Sequence, residues 1–360
     1  MNCSMPTHSF RSALAHDPAP PLDCPSVGIV VPVYNEIAQL DRLTGDLLAQ
    51  DYAAIEEIWF VDGGSDDGSA ERLQALQDRD NRVRLVHNPR RGPAAALNTA
   101  IPQMRTDIIL RLDAHATYAA DVVRQGVEAL LATGAGGVGA IARPAEGRTT
   151  VARSIVAAHK SRFGLGGARF RQDTAAGWAD TVWNGCYWRH VIKQVGPLRE
   201  DLLRAEDNDF NERVRRLGYG LYLCPAIRAY YEPRRTLPAL WSQYMANGKG
   251  VAFAWFDNPR AFGLRHLAPL ALLSALALGL LAGLIWPPTM VAFAALLGLY
   301  VAALLAAVVI AARSEPGAHL LLLPCALATL HLSYGSGALW GLAVRATRTK
   351  SVPALPGSGP

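Results

Sequence analysis

The stretch Thr106–Ala116, TDIILRLDAHA, is an apolar segment that runs into charged residues, and it predicts a central strand. Because side chains two residues apart on a strand share a face, one face buries Leu110 and Leu112. The other face then presents three polar side chains: Arg111, Asp113 and His115. A carboxylate and an imidazole at the end of a buried strand can share one divalent cation. The alternative is a strand end whose polar residues are only solvated.

Strands and helices alternate before this stretch. Val27–Val33 is a continuous apolar run, mostly of β-branched residues, which is typical of a strand buried on both faces. Ile55–Val61 and Val83–His87 are two further strands, and a helical pattern follows each of the three. This order predicts an α/β fold with a doubly wound, mostly parallel, Rossmann-like sheet.

Polar clusters stand where the predicted strands end: Tyr34–Glu36, Asp62–Ser69 and Asp113–His115. Ligands of such sheets bind outside the carboxyl ends of the strands, so the clusters predict one ligand site at that edge. Two later segments are also charged. Gly164–Arg171 is a glycine-rich basic loop, and Arg204–Asp209 is an acidic segment that opens a helix predicted over Phe210–Leu217.

Apolar residues are concentrated near the end of the chain. The whole chain is 51% hydrophobic, with a mean hydropathy of +0.13, which is high for a soluble enzyme. Charged residues are frequent up to about Arg265 and scarce from there to Arg345. We therefore predict a flexible leader over residues 1–25, an α/β domain over 26–262, a membrane region over 263–345 and a flexible tail over 346–360.

Two segments of the membrane region, Leu267–Trp286 and Thr289–Ala312, are long enough to cross a bilayer. A third, Ala318–Val344, contains proline and glycine interruptions. Basic residues flank the start, the polar break and the end of the region, and the positive-inside rule assigns all of them to the cytoplasm. Three full spans do not permit this, so either the tail is outside or the third segment is re-entrant or interfacial.

Charge and cysteine usage exclude some functions. The formal net charge of +5 suits a domain near an anionic membrane or one that handles phosphorylated substrates. No long basic run with interleaved aromatic residues indicates nucleic-acid binding. The five cysteines are scattered, with no two at a metal or redox spacing, and predict reduced thiols in a domain that faces the cytosol.

Four ordered motifs resemble those of family 2 glycosyltransferases of the GT-A fold. They are IVVPVYNE at Ile29–Glu36, VDGGSDDGS at Val61–Ser69, RLDAHA at Arg111–Ala116 and RAEDND at Arg204–Asp209. The DAHA segment and the loop GLGGARFR resemble, more narrowly, the membrane-bound glycosyltransferases of succinoglycan-type exopolysaccharide synthesis. The resemblance runs from about Val27 to the end of the chain. It implies a nucleotide-diphosphate-sugar transferase domain followed by transmembrane helices.

The resemblance implies roles for the first two motifs in nucleotide binding. Pro32 and Tyr34 would line the base pocket, with the Tyr34 ring against the base. Glu36 would accept a hydrogen bond from the base or ribose, Asp62 would accept one from the uracil N–H, and Arg91 would lie near the base and phosphates. The plain alternatives are a helix start at Glu36 and a capped turn after Asp62.

Asp113 and His115 match the first and third positions of the family's Asp-x-Asp motif, although the third position is more often Asp. The implied cofactor is Mn²⁺ or Mg²⁺, held by both residues, and an imidazole suits Mn²⁺ better. The cation would stabilise the leaving diphosphate as the glycosidic bond breaks. Alternatively, His115 contacts only the phosphates.

Glu206 and Asp207 match the family's acidic pair. Asp207 would be the general base that takes the proton from the acceptor hydroxyl. The plain alternative is that the pair only adds negative charge to the first turn of a helix. In the basic loop, Arg169 and Arg171 would meet a diphosphate or a lipid-linked acceptor.

One departure from the family concerns processivity. Processive members carry Gln-x-x-Arg-Trp after the acidic pair, whereas Gln243–Asn247 keeps the Gln and lacks the Arg and Trp. With few membrane segments, this argues against a polymer-extruding synthase.

The implied function is inverting transfer of a single sugar, with UDP-glucose as the first expected donor. The implied acceptor is a polyprenyl-diphosphate-linked saccharide at the cytoplasmic face of the inner membrane. Two alternatives remain: direct glycosylation of polyprenyl monophosphate, and a non-catalytic membrane protein that only binds a nucleotide. An oxidoreductase is disfavoured because no Gly-x-Gly-x-x-Gly turn follows the first strand.

Overall fold

The computed structural model describes residues 24–172, 176–202, 204–314 and 318–347. The predicted leader therefore lies outside the described residues except for Cys24 and Pro25, as does the predicted tail beyond Thr347. The four cysteines within these ranges are free thiols, as predicted.

The first part of the chain alternates strands and helices as predicted. Its elements are β1 (Val27–Val33), α1 (Ile37–Leu48), β2 (Ile55–Asp62), α2 (Ser69–Gln77), β3 (Val83–His87), α3 (Pro93–Ala100) and β4 (Ile108–Arg111). β1 pairs in parallel with β2 and with β4, and β2 pairs in parallel with β3. Ile29 and Val30 are both fully buried, but in different apolar clusters on opposite faces of β1. The sheet is thus covered on both faces.

The second part is less regular. Its elements are β5 (Ala116–Tyr118), α4 (Val122–Thr133), β6 (Gly137–Ala140), β7 (Arg143–Pro144), α5 (Thr150–Lys160), α6 (Arg162–Leu165), β8 (Gly177–Trp178), β9 (Trp183–Trp188), α7 (Arg189–Val195), α8 (Glu206–Arg216), β10 (Leu221–Leu223), β11 (Ala229–Tyr231) and α9 (Leu237–Asp257).

Eight strands of the described residues form one sheet in the order β3-β2-β1-β4-β9-β6-β10-β8. β9 lies antiparallel between β4 and β6, and β10 is parallel to β6. The predicted mostly parallel sheet is confirmed, with β9 as an antiparallel insertion that the sequence did not indicate. A smaller described sheet, β5-β11-β7, lies beyond the end of β4.

Three helices follow: α10 (Ala268–Ile285), α11 (Met290–Ser314) and α12 (Leu322–Thr347). Within the described ranges, two helical segments are long and apolar enough to cross a membrane, Ala268–Ile285 and Pro287–Ala311. Within an apolar 18-residue window of each segment, only 6% and 17% of the residues are buried. The core helix of a soluble protein would be mostly buried, whereas these two segments are mostly exposed.

The third apolar segment forms one continuous helix, α12, and its glycines do not break it. They bring it close to α9: a Cβ at Gly248 would overlap the Tyr334 carbonyl oxygen, and a Cβ at Gly337 would overlap the Met245 carbonyl oxygen. Small residues permit such close helix contact. α9 is a long helix of 21 residues, so this contact extends over several turns.

Both ends of α12 are tied to the α/β domain. Just before the helix, the His319 backbone N–H donates to the Ser154 hydroxyl at 3.1 Å. Near its last turn, Arg345 forms a 2.8 Å ion pair with Asp257. α12 therefore lies along the α/β domain over its whole length.

Candidate active site

A cavity of about 780 Å³ opens beside the end of β4, and both parts of the chain line it. The α/β domain contributes charged residues to the lining: Arg111, Asp113, His115, Arg171, Glu206 and Asp207. The C-terminal helices contribute mostly apolar residues: Leu272, Leu296, Leu299, Tyr300 and His331. A polar centre and an apolar wall thus share one space.

Arg111 organises the polar centre. Its guanidinium lies 3.2 Å from a Glu206 carboxylate oxygen and 3.6 Å from one of Asp113. Burial by itself lowers the pKa of Arg111, but the two carboxylates outweigh it and raise the pKa, so the guanidinium stays charged. The sequence placed Arg111 on the same face as Asp113 and assigned it no role. Its position two residues before Asp113 was the available signal.

Asp113 is held by two hydrogen bonds and by the charges of its neighbours. Its Oδ2 accepts a hydrogen bond from the Trp183 indole N–H at 2.9 Å, and its backbone N–H donates to the Tyr118 hydroxyl at 2.8 Å. Burial by itself raises the pKa of Asp113, but Arg111 and then His115 outweigh it and hold the pKa below its ordinary value. The Asp113 carboxylate is thus ionised and oriented. Trp183 thus positions Asp113.

His115 follows in the turn between β4 and β5. Its ring is 56% exposed, and its Nδ1 lies 3.7 Å from a Glu36 carboxylate oxygen. Glu36 is the main cause that raises the pKa of His115. The structure thus brings together the ends of β1 and β4, as the sequence predicted.

These residues fit a divalent cation as a partial site. Asp113 and His115 line the same cavity and offer one oxygen and one nitrogen donor, a mixed set that Mn²⁺ accepts. The Trp183 N–H orients the carboxylate as outer-shell donors commonly do. In the ranges that the structure describes, no group of three or more His, Cys, Asp or Glu side chains is placed to hold a metal. Further ligands would have to come from a substrate or water.

The acidic pair begins α8. Ala205 precedes it in the left-handed backbone region, with φ of 68°, which is costly for a residue with a Cβ and turns the chain sharply into the helix. Burial raises the pKa of Glu206, against the opposing effect of Arg111. Asp207 is less buried and lines the cavity, and one of its oxygens accepts from the Asn208 N–H at 2.8 Å. The helix begins four residues before the predicted Phe210.

Predicted nucleotide-binding residues lie at the ends of β1 and β2. The Arg91 guanidinium lies 5.1 Å from the centre of the Tyr34 ring, which is 48% exposed. Asn35 and Arg91 both have φ of 55°, so the loops after β1 and β3 are both tightly bent. Pro32 lies in β1 opposite Val61. An exposed aromatic face beside an arginine can take a base.

Asp62 is buried in its own turn. Its carboxylate accepts hydrogen bonds from the Gly64 and Ser65 N–H groups and from the Ser65 hydroxyl. The capped turn after Asp62, which the sequence offered as the plain alternative, is thus formed. The predicted contact of Asp62 with uracil stays a prediction.

The two arginines of the basic loop have different surroundings. Arg171 lines the cavity and donates to the Tyr231 hydroxyl at 3.0 Å. Arg169 donates instead to the carbonyl oxygens of Ala176 and Trp178 and is not part of the cavity lining. The structure thus brings only Arg171 to the predicted site, and the substrate contact of Arg169 stays a prediction.

Comparison with known proteins identifies the family. The family model for glycosyl transferase family 2 matches residues 28–179. The succinoglycan biosynthesis protein ExoA of Rhizobium meliloti (strain 1021) is 31% identical over 245 residues, which cover 68% of this chain and 74% of ExoA. The chain is a family 2 glycosyltransferase.

One further relative by sequence and one solved structure are similar to this glycosyltransferase. The dolichyl N-acetyl-α-D-glucosaminyl phosphate 3-β-D-2,3-diacetamido-2,3-dideoxy-β-D-glucuronosyltransferase of Methanococcus voltae is 25% identical over 235 residues, 62% of this chain and 71% of that protein. The mannosyltransferase PcManGT of Pyrobaculum calidifontis, solved with GDP-Man and Mn²⁺, superposes with a TM-score of 0.59 at 21% identity. The superposition covers 92% of this chain and 91% of that one. The glycosyltransferase thus has the GT-A fold.

Proposed function

We propose that the glycosyltransferase moves one sugar from a nucleotide-sugar to a lipid-linked acceptor at a membrane surface, for exopolysaccharide synthesis. The observation that carries this proposal is the shared cavity. Asp113 and Asp207 line it together with Leu296 and Leu299 of α11, a helix apolar enough to cross a membrane. A water-soluble acceptor would not require an apolar wall of this kind.

The donor would enter from the side of β1 and β2. Its base would stack on Tyr34, and Pro32, Glu36, Asp62 and Arg91 would complete the pocket. We propose a UDP-sugar, with UDP-glucose as the first candidate. The solved relative contains GDP-Man, so a GDP-sugar is the second candidate to test.

A divalent cation would be held by Asp113 and His115. When bound, it would supply positive charge for the diphosphate that leaves. Arg111 keeps Asp113 ionised and oriented for this role. Glu206 pairs with Arg111, so its proposed catalytic contribution is to keep the guanidinium in place.

Asp207 would act as the general base. It would accept the proton of the acceptor hydroxyl while that oxygen attacks the anomeric carbon. One displacement from the face opposite the leaving group inverts the anomeric centre. An α-linked donor would therefore give a β-linked product.

We also propose a membrane arrangement with α10 and α11 as the two crossing segments. α12, bound along its length to the α/β domain, would lie in the interface. Arg265, Arg313 and Arg345 would then lie on one side, as the positive-inside rule requires. The third segment would be interfacial rather than spanning, in a multi-pass protein of the inner membrane with a cytoplasmic catalytic domain.

The proposal is tested with purified protein in nanodiscs, a panel of UDP- and GDP-sugars, Mn²⁺ or Mg²⁺, and a lipid extract as acceptor. We expect radiolabel from one donor to enter the lipid fraction. Asp207→Asn should lower kcat by about 10²- to 10⁴-fold, with UDP affinity retained. Asp201→Asn is the matched control, because that side chain is 64% exposed and is not part of the cavity lining. Full transfer activity of Asp207→Asn would contradict its role as the base. No transfer by the wild type with any donor, together with function in cells that Asp207→Asn retains, would favour the non-catalytic alternative.

The acceptor has two candidate forms. We propose a saccharide on polyprenyl diphosphate, and the alternative is polyprenyl monophosphate. The name of the Methanococcus voltae relative describes an acceptor with a sugar linked to a single lipid phosphate. Acceptors with one phosphate are therefore included in the test. Mass spectrometry of the lipid product separates the two, because a product with one phosphate would contradict the diphosphate form.

A further inference from the structure

Four side chains form a continuous hydrogen-bonded row in the wall of the cavity: Arg171, Tyr231, His159 and Tyr244. The Arg171 guanidinium lies 3.0 Å from the Tyr231 hydroxyl oxygen, which lies 2.9 Å from Nδ1 of His159. Nε2 of His159 lies 3.2 Å from the Tyr244 hydroxyl oxygen. The row thus joins the basic loop, β11, α5 and α9.

His159 is neutral in this row. It is 4% exposed, and burial, with the charge of Arg171, lowers its pKa to about 3. A neutral imidazole has one N–H donor and one nitrogen acceptor. The ring therefore accepts a hydrogen bond from one tyrosine and donates a hydrogen bond to the other.

Arg171 sets that direction, because a guanidinium only donates. Its charge draws electron density from the Tyr231 oxygen and makes the Tyr231 hydroxyl the better donor of the two tyrosines. The shorter of the two bonds to the ring, at Nδ1, agrees with this order. The Nε2–H then donates to the Tyr244 oxygen. The Tyr244 hydroxyl hydrogen has no recorded acceptor in the part of the chain that the structure describes.

A second tyrosine hydroxyl also lacks an acceptor for its hydrogen among the described residues. Tyr334 of α12 lines the same cavity and packs against the same apolar cluster as Tyr244. Its oxygen is buried and, among the described residues, has no hydrogen-bond partner. Buried polar atoms are normally paired, so an unpaired one at a cavity wall indicates a missing ligand atom.

The charge of the cavity indicates what that atom is. Among the described residues, five arginines line it against three acidic residues. Arg111 is paired with two of the acids, and Arg265 is paired with Asp180, which lies outside the lining. Two hydroxyl donors in a positively charged cavity suit an anionic oxygen. The lining of the cavity also includes Leu272 and Tyr300 from the apolar helices.

We infer that Tyr244 and Tyr334 donate hydrogen bonds to a phosphate oxygen of an isoprenyl-phosphate acceptor, and that His159 is a positioning residue that orients the Tyr244 hydroxyl. This inference rests on the proposed function, which supplies an acceptor with a lipid-linked phosphate. It adds a phosphate subsite built from neutral donors on α9 and α12, separate from the donor diphosphate beside Asp113.

The experiment measures binding of farnesyl diphosphate, farnesol and UDP to the full chain in detergent. Wild-type protein should bind farnesyl diphosphate more tightly than farnesol. Tyr244→Phe should weaken farnesyl diphosphate binding by about tenfold or more, as expected for a lost hydrogen bond to a charged group. Affinity for farnesol and for UDP should not change. Tyr222→Phe is the matched control, because Tyr222 is not part of the cavity lining.

A double-mutant cycle tests the role of His159. His159→Phe should weaken farnesyl diphosphate binding by the same factor as Tyr244→Phe, and the double variant should be no weaker than either alone. His159→Gln, which keeps a donor and an acceptor, should retain most of the affinity. Inorganic diphosphate as a competitor separates recognition of the phosphates alone from recognition of the prenylated form.

Several outcomes would overturn the inference. Additive losses in the cycle, equal losses for farnesol and farnesyl diphosphate, or unchanged binding by Tyr244→Phe would each do so. A wild-type protein that does not discriminate farnesyl diphosphate from farnesol would instead refute the lipid-phosphate acceptor of the proposed function, and the inference with it.

Discussion

Replacement of Arg111 tests the electrostatic design of the polar centre. Its guanidinium lies 3.2 Å from Glu206 and 3.6 Å from Asp113. At an effective dielectric constant of 20, each attraction is about 5 kcal/mol before the cost of desolvation. Removal of one partner from such a buried cluster leaves charge without compensation, which costs about 3–5 kcal/mol. We therefore expect Arg111→Met to be strongly destabilising although it preserves side-chain length.

The loss of folding stability in Arg111→Met should depend on pH. In the wild type, the folded-state pKa of Asp113 is lowered, so its contribution to stability is present above the unfolded-state pKa and is lost as the pH falls through the folded-state pKa. Arg111→Met removes this contribution. Without Arg111, burial is left to raise the pKa of the Asp113 and Glu206 carboxyl groups, so the difference from wild type should be largest at pH 7.5 and smaller at pH 4.5, where these groups of the variant take up protons.

Thermal unfolding in detergent measures both effects. A loss of about 3–5 kcal/mol corresponds to a decrease in Tm of about 6–20 °C for a domain of this size. Addition of Glu206→Gln to Arg111→Met should restore part of the lost Tm, because one of the two unpaired charges is then absent. A decrease below about 2 °C, or an equal decrease at both pH values, would refute the reasoning.

Three further predictions concern other parts of the molecule. His115→Ala should raise the Mn²⁺ concentration for half-maximal activity by roughly 10- to 100-fold, and His115→Asp should recover most of it; equal metal dependence in all three proteins would exclude His115 as a ligand. Gly337→Val should destabilise the contact of α12 with α9 by about 1–3 kcal/mol, because its side chain meets the Met245 carbonyl. Limited proteolysis measures this, with Gly298→Val as control, since nothing lies within 4 Å of a Cβ there. The pKa of His159 is lowered to about 3, mainly by burial, whereas the unfolded value is about 6.5. The unfolded state therefore takes up the proton first, and stability should fall as the pH drops below 6.5, by about 2 kcal/mol at pH 5. Denaturant titrations should show that His159→Gln lacks this decrease.

Much of the fold could be predicted because its signals are local. β1 was predicted over Val27–Val33 and forms over the same residues, since an apolar β-branched run has few other stable conformations. The polar groups after β1, β2 and β4 were also predictable as neighbours, because parallel strands end at one edge. The contact of Glu36 with His115 confirms that expectation.

Other features could not be predicted because they depend on long-range pairing. The predicted strand Thr106–Ala116 ends at Arg111, and a separate strand, β5, pairs with β11 more than 100 residues away. β9 is antiparallel to β4 and β6 because of where the chain returns to the sheet, and its composition carries no sign of direction. The apolar third segment gave no indication of its glycine contacts with α9, because these need a partner helix.

By itself, the sequence determined the alternation of strands and helices and the family motifs, and it predicted roles for Asp113, His115 and Asp207. Periodicity and residue type are properties of short segments, so they can be read without a fold. Only the tertiary structure decided that Arg111 joins Asp113 to Glu206, that His159 links two tyrosines, and that α12 lies along the α/β domain. Each of these depends on distances between residues far apart in the chain, which folding sets through burial and packing of the whole domain.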